Sequence, residues 1–110
     1  MAVWYSKLYI GEKAAPLYEK IYRSIEDEKY LPGVYLITIA GADKDQLDIF
    51  DSIRLFMPAL RRRLKPVIGI AYGKDEALEL LRTIAENVRR ETGSLYLRSY
   101  FEEKLKEQEA

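Results

Sequence analysis

The sequence predicts an α/β domain: a four-stranded, mainly parallel sheet with elements in the order βαβαβαβ, arranged as a three-layer sandwich with helices on the sheet. Three observations carry this expectation. Apolar, largely β-branched or aromatic segments stop at a glycine three times, at Gly11, Gly41 and Gly73. Each glycine is followed by charged residues and then by a helical spacing of apolar side chains. The repeat of about 30 residues suits a strand, a crossover helix and a parallel return. Strand order is left open by this pattern. A doubly wound order divides the helices between both faces, whereas a simple progression with right-handed crossovers leaves one face for a partner.

Residues Val3 to Ile10 read as the first strand. The helix after it places Leu17, Tyr18, Ile21 and Ile25 inside, has Pro16 near its start where a missing N–H costs little, and ends before the turn signal Leu31, Pro32, Gly33. Val34 to Ala40 form the second strand. At 100° per residue, Ile49, Phe50, Ile53, Phe56, Met57, Leu60 and Leu64 then fall within an arc of roughly 120°. Asp48, Asp51, Arg62 and Arg63 lie opposite, so one amphipathic helix kinked at Pro58 is expected. Val67 to Tyr72 form the third strand. A third helix buries Ala77, Leu78, Leu80, Leu81, Ile84, Ala85 and Val88 and stops at Gly93. Ser94 to Phe101 read as the last strand. The whole is one domain over residues 1–104, with a charged tail at 105–110.

Composition bounds the function. Eighteen basic residues balance eighteen acidic ones, which gives no global field for nucleic acid or an anionic membrane. Cysteine and histidine are both absent. That removes disulfides, thiolate nucleophiles, Cys/His zinc sites and every triad that needs an imidazole. Neither GxGxxG nor GxxxxGK[ST] occurs. The opening MAVWYSKLYIGEK lacks the pattern of a secretory signal, and no apolar run approaches the roughly 18 residues of a membrane span. A cytoplasmic protein without a cofactor is expected.

Two groups of residues are candidates for a site. If the first three strands are parallel, their trailing turns share one rim, and these carry Glu12 and Lys13, then Asp43, Lys44 and Asp45, then Lys74 and Asp75 followed by Glu76. Such acids would hold Mg²⁺, and the lysines and helix N-terminal N–H groups would hold phosphate. The same residues also suit plain helix capping. The second group lies on the terminal strands, where alternation puts Tyr5, Lys7 and Tyr9 on one face and Tyr96, Arg98 and Tyr100 on another. This aromatic, cation, aromatic stripe suits a half-covered strand or a subunit interface better than a base-stacking platform. Arg61, Arg62, Arg63 and Lys65 at a helix end suit the helix dipole. The leading expectation is a noncatalytic module that associates with itself, as a homo-oligomer, or with another protein. The alternative is a Mg²⁺-dependent enzyme or binder of a phosphorylated ligand at the strand ends.

Overall fold

The computed structural model describes residues 2–40 and 46–109. The elements are β1 (Trp4–Ile10), α1 (Tyr18–Glu26), β2 (Val34–Ile39), β3 (Leu47–Asp51), α2 (Pro58–Arg62), β4 (Val67–Tyr72), α3 (Lys74–Thr92) and α4 (Leu97–Glu109). Short 3-10 turns precede α1 and α2. The α/β class holds, and the sheet is four-stranded. Its order is β1-β4-β2-β3, with β1 parallel to β4 but β2 antiparallel to both β4 and β3. The sheet is therefore mixed rather than mainly parallel.

Two segments differ from the expectation, the first of them in the sheet. Residues 47–51 are a strand, paired from Leu47 opposite Ile39 to Asp51 opposite Tyr35, and so close a hairpin on β2. Only Leu47, Asp48 and Ile49 alternate between apolar and polar before Phe50 and Asp51 break the pattern, so the strand is hidden inside the longer helical spacing. The Asp51 carboxylate then accepts from the Ile53 N–H at 3.0 Å and starts a 3-10 turn over Ser52–Phe56. Pro58 is the first residue of a new short helix rather than a kink within a long one.

The second segment is 94–101, expected as a strand and found as the start of α4. Leu97, Phe101 and Leu105 recur every four residues, and all three are buried. A stripe of that spacing seats a helix, and it continues through residues 105–109, expected as a charged tail. The helical spacing of α1 and α3 sets their buried faces. Ile21 and Ile25 are the buried positions of α1, and Ala77, Ile84 and Val88 those of α3, although Leu78 is exposed. Gly93 ends α3 in the left-handed region at φ 80°, where a side chain would be strained.

Helices cover both faces of the sheet. On one, Ile21 and Ile25 of α1 and Leu55 of the 3-10 turn pack on Val34, Leu36 and Ile70. On the other, Ile84 and Val88 of α3 and Phe101 of α4 pack on Ile37, Ile39 and Ile68. Phe101 is fully buried and is the hub of this second layer, its ring edge-on to Tyr5, Tyr9 and Tyr100 at 5.4, 6.3 and 4.9 Å. The last turn of α4 also reaches the outward edge of β1. The Gln108 carboxamide accepts from the Ser6 N–H at 2.6 Å and donates to the Trp4 carbonyl at 2.8 Å, as a neighbouring strand would.

The helical assignment of 97–109 is checked by substitution. Leu97→Ala and Leu105→Ala are expected to cost about 2–5 kcal/mol and Phe101→Ala about 3–5 kcal/mol in urea unfolding. Leu95→Ala, exposed in this fold, is expected to stay within about 0.5 kcal/mol. In a strand, Leu95 and Leu97 would share a face and change together.

Candidate functional site

The turns after β1 and β4 do meet, because those two strands are parallel. The Gly11 N–H donates to the Ile70 carbonyl at 2.9 Å and the Gly73 N–H to the Gly33 carbonyl at 2.7 Å. Gly73, at φ 93°, opens α3, whose first turn holds Asp75 and Glu76. Glu76 joins the two turns. Its carboxylate accepts from the Tyr72 N–H at 2.9 Å, the Ala14 N–H at 3.2 Å and the Lys13 N–H at 2.6 Å. Such bonds to an ionised acceptor are strong, and three of them commit the group to backbone. Gly11 is required by this contact, since a Cβ there would lie 2.1 Å from Glu76 Oε1.

Glu12, Lys13 and Asp75 line a shallow groove together with Glu76, Glu79 and Thr83, while Lys74 lies outside it. Asp43, Lys44 and Asp45 fall outside the described residues. The premise that gathered them on this rim fails, because β2 runs against β1 and β4 and its carboxyl end lies at the opposite edge of the sheet. Among the described residues, no group of three or more acidic side chains is arranged to hold a metal ion.

The aromatic and basic residues of the chain ends separate into two sets. Tyr5, Lys7, Tyr9 and Tyr100 come together in one open pocket with Asn87, Arg90 and Glu91 of α3 and Lys104 of α4. Tyr96 is exposed, and Arg98 pairs with Glu102 at 3.8 Å, so the stripe read on 96, 98 and 100 does not exist in the helix. Within the pocket, Tyr100 Oη donates to Glu91 Oε2 at 2.6 Å, and Lys104 Nζ lies 3.8 Å from Glu91 Oε1. Burial first, then the bond to Glu91, push the Tyr100 hydroxyl well above its ordinary 10.0. Burial, with Tyr9, Glu91 and Glu107 nearby, also raises Tyr5. Both phenols stay neutral donors at neutral pH and are poor bases or nucleophiles there. Sequence reasoning found the β1 residues and Tyr100 but missed the α3 and α4 partners, whose signal was the three- and four-residue spacing of 87, 90, 91 and of 100, 104.

A third surface was hidden by the helix expected over 48–64. Ile53, Phe56 and Met57, placed in the core by that reading, are about half exposed at 50%, 45% and 59%. Ile53 and Phe56 stand three apart in a 3-10 turn, which eclipses them on one side. Exposed Tyr30 meets the Phe56 ring edge-on at 5.6 Å. The flanks are basic: residues 52–65 carry Arg54, Arg61, Arg62, Arg63 and Lys65 and no acid. Arg61 is structural, bonded to Glu28 at 2.9 Å and to the Ile25 carbonyl at the end of α1. Arg54, Arg62, Arg63 and Lys65 are exposed and pair with no carboxylate among the described residues.

Comparison with protein-family models, with curated proteins and with solved structures finds no match to this chain. The functional reading therefore rests on these three surfaces.

Two measurements check the local accounts. Glu76→Gln replaces one acceptor oxygen by a donor group facing three N–H donors, and a loss of about 1–3 kcal/mol in urea is expected. A neutral result would show that the amides find water instead. For Tyr100 the folded state holds the proton more tightly than the unfolded one, so its contribution is present below pH 10 and is lost as pH rises above it. Stability measured through that range should fall less steeply in Tyr100→Phe than in the parent, and equal slopes would show that the folded state holds the Tyr100 proton no more tightly than the unfolded one.

Proposed function

We propose that this chain is a noncatalytic protein-interaction module that binds an acidic, partly apolar partner surface through residues 52–65. The observation that carries the reading is the joint exposure of Ile53, Phe56 and Met57, with Tyr30 beside them, inside a segment that has five basic residues and no acidic one. Contiguous exposed apolar side chains mark interaction sites, and aromatic residues, methionine and arginine are the types enriched where proteins meet. The absence of histidine and cysteine and the commitment of Glu76 to backbone amides agree with a module that performs no chemistry.

The basic flank decides between a second copy and a different protein. In a two-fold dimer the same patch faces itself, which would bring one basic flank, with Arg54, Arg62, Arg63 and Lys65, into an interface with a second of the same sign. Like charges at an interface cost affinity and select against that pairing. A partner bearing carboxylates around an apolar centre satisfies both parts of the surface.

Selection from a displayed peptide library tests this. Enriched peptides are expected to combine Asp or Glu with aromatic or aliphatic residues, to bind more weakly as salt rises, and to be lost with Phe56→Ser or Met57→Ser. Both positions are exposed, so circular dichroism should show an intact fold. Enrichment indifferent to these substitutions, or a concentration-dependent dimer abolished by them in sedimentation, would overturn the reading.

A further inference from the structure

We propose that the pocket between β1, α3 and α4 binds a compact oxyanion, a phosphate monoester group being the best match. It lies on the face of the sheet opposite the 52–65 surface and stands independently of that reading. Three elements supply it through their own periods: Tyr5, Lys7 and Tyr9 alternate on β1, Asn87, Arg90 and Glu91 stand three and four apart on α3, and Tyr100 and Lys104 four apart on α4. The space is about 400 Å³ and open to solvent, within the range of about 300–1,000 Å³ usual for small ligands.

Cationic donors outnumber carboxylates in this pocket. Among the described residues Glu91 is the only carboxylate lining the pocket, and both its oxygens face a donor, one Tyr100 Oη at 2.6 Å and the other Lys104 Nζ at 3.8 Å. Tyr9 Oη accepts from Asn87 Nδ2 at 3.3 Å, which leaves its own proton for another acceptor. Lys7 and Arg90 meet no carboxylate among the described residues. An ammonium, a guanidinium and a phenol thus line one cavity whose carboxylate already faces Tyr100 and Lys104. A cationic ligand would be repelled, and a neutral one would leave both charges unanswered. A phosphate group offers several oxygens to a guanidinium fork and to single donors at once. The cations do not continue as a track, because α4 carries Glu102, Glu103 and Glu107 around Lys104, which favours a compact ligand over a polymer.

Titration with inorganic phosphate at constant ionic strength, followed by amide NMR, tests the site. Saturable shifts are expected at Lys7 and at residues 87–91, including the Asn87 carboxamide. Arg90→Ala and Lys7→Ala should each weaken binding about tenfold, the scale of one lost charge-assisted contact, and Tyr9→Phe should weaken it less. Arg82→Ala, an exposed change on the same helix whose residue pairs with Glu79, should have no effect. Shifts that never saturate, or equal losses with Arg82→Ala and Arg90→Ala, would overturn the proposal. So would tighter binding of a single-stranded oligonucleotide through Lys7 and Arg90. The lysine and arginine replaced are exposed, so the variants keep the fold and each outcome is readable.

Discussion

Strands β2 and β4 are buried along nearly their whole length, with apolar side chains on both faces. Strands of that kind cannot be left against water on either side, so an element must lie above and another below. The chain answers with α1 and the segment through α2 on one face and with α3 and α4 on the other. The edge strands, more polar and half-exposed, then fall outside the buried pair. Once both faces are covered, the two central strands offer no surface to a partner. Recognition has to be built on the edge strands and on the outer sides of the covering elements.

The parts of this arrangement legible in sequence were those fixed by local chemistry. Glycines at 11, 73 and 93 mark real turns, and the burial of Ile21, Ile25, Ala77, Ile84 and Val88 follows from helical spacing alone. Strand direction was not legible, because a charged connection after an apolar run looks alike whether it leads to a helix or to a hairpin. Leu47–Asp51 shows why: five residues are too few for a period of two to stand out from one of 3.6. Ser94–Phe101 is the converse case. Its alternation of apolar and polar residues imitates a strand, and only Leu105, four residues beyond Phe101, reveals the helical stripe. The Tyr5, Lys7, Tyr9 face was readable from alternation. The α3 side of that pocket depends on which helix lands beside β1, a tertiary fact that spacing cannot state.

The exact balance of charge in the sequence conceals a separation in space. Residues 52–65 hold cations without an acid, while the groove beside Gly11 gathers Glu12, Asp75, Glu76 and Glu79 around a single lysine. A near-neutral protein can therefore present local fields of both signs, which fall off within about 10 Å at moderate salt and act only on what docks closely. Zero formal net charge supplies no global field of one sign, and it is silent about such patches. Their origin is topological, since the hairpin of β2 and β3 carries the basic segment to one side of the sheet while the β1 and β4 turns carry the acids to its end.

The Gln108 side chain supplies two hydrogen bonds to a strand that begins at residue 4. During synthesis β1 leaves the ribosome about a hundred positions before the group that shields its outer margin, an interval of seconds at ordinary translation speed. Throughout that interval the nascent segment presents an unmatched ladder of backbone polar groups, which invites pairing between chains growing side by side on one message.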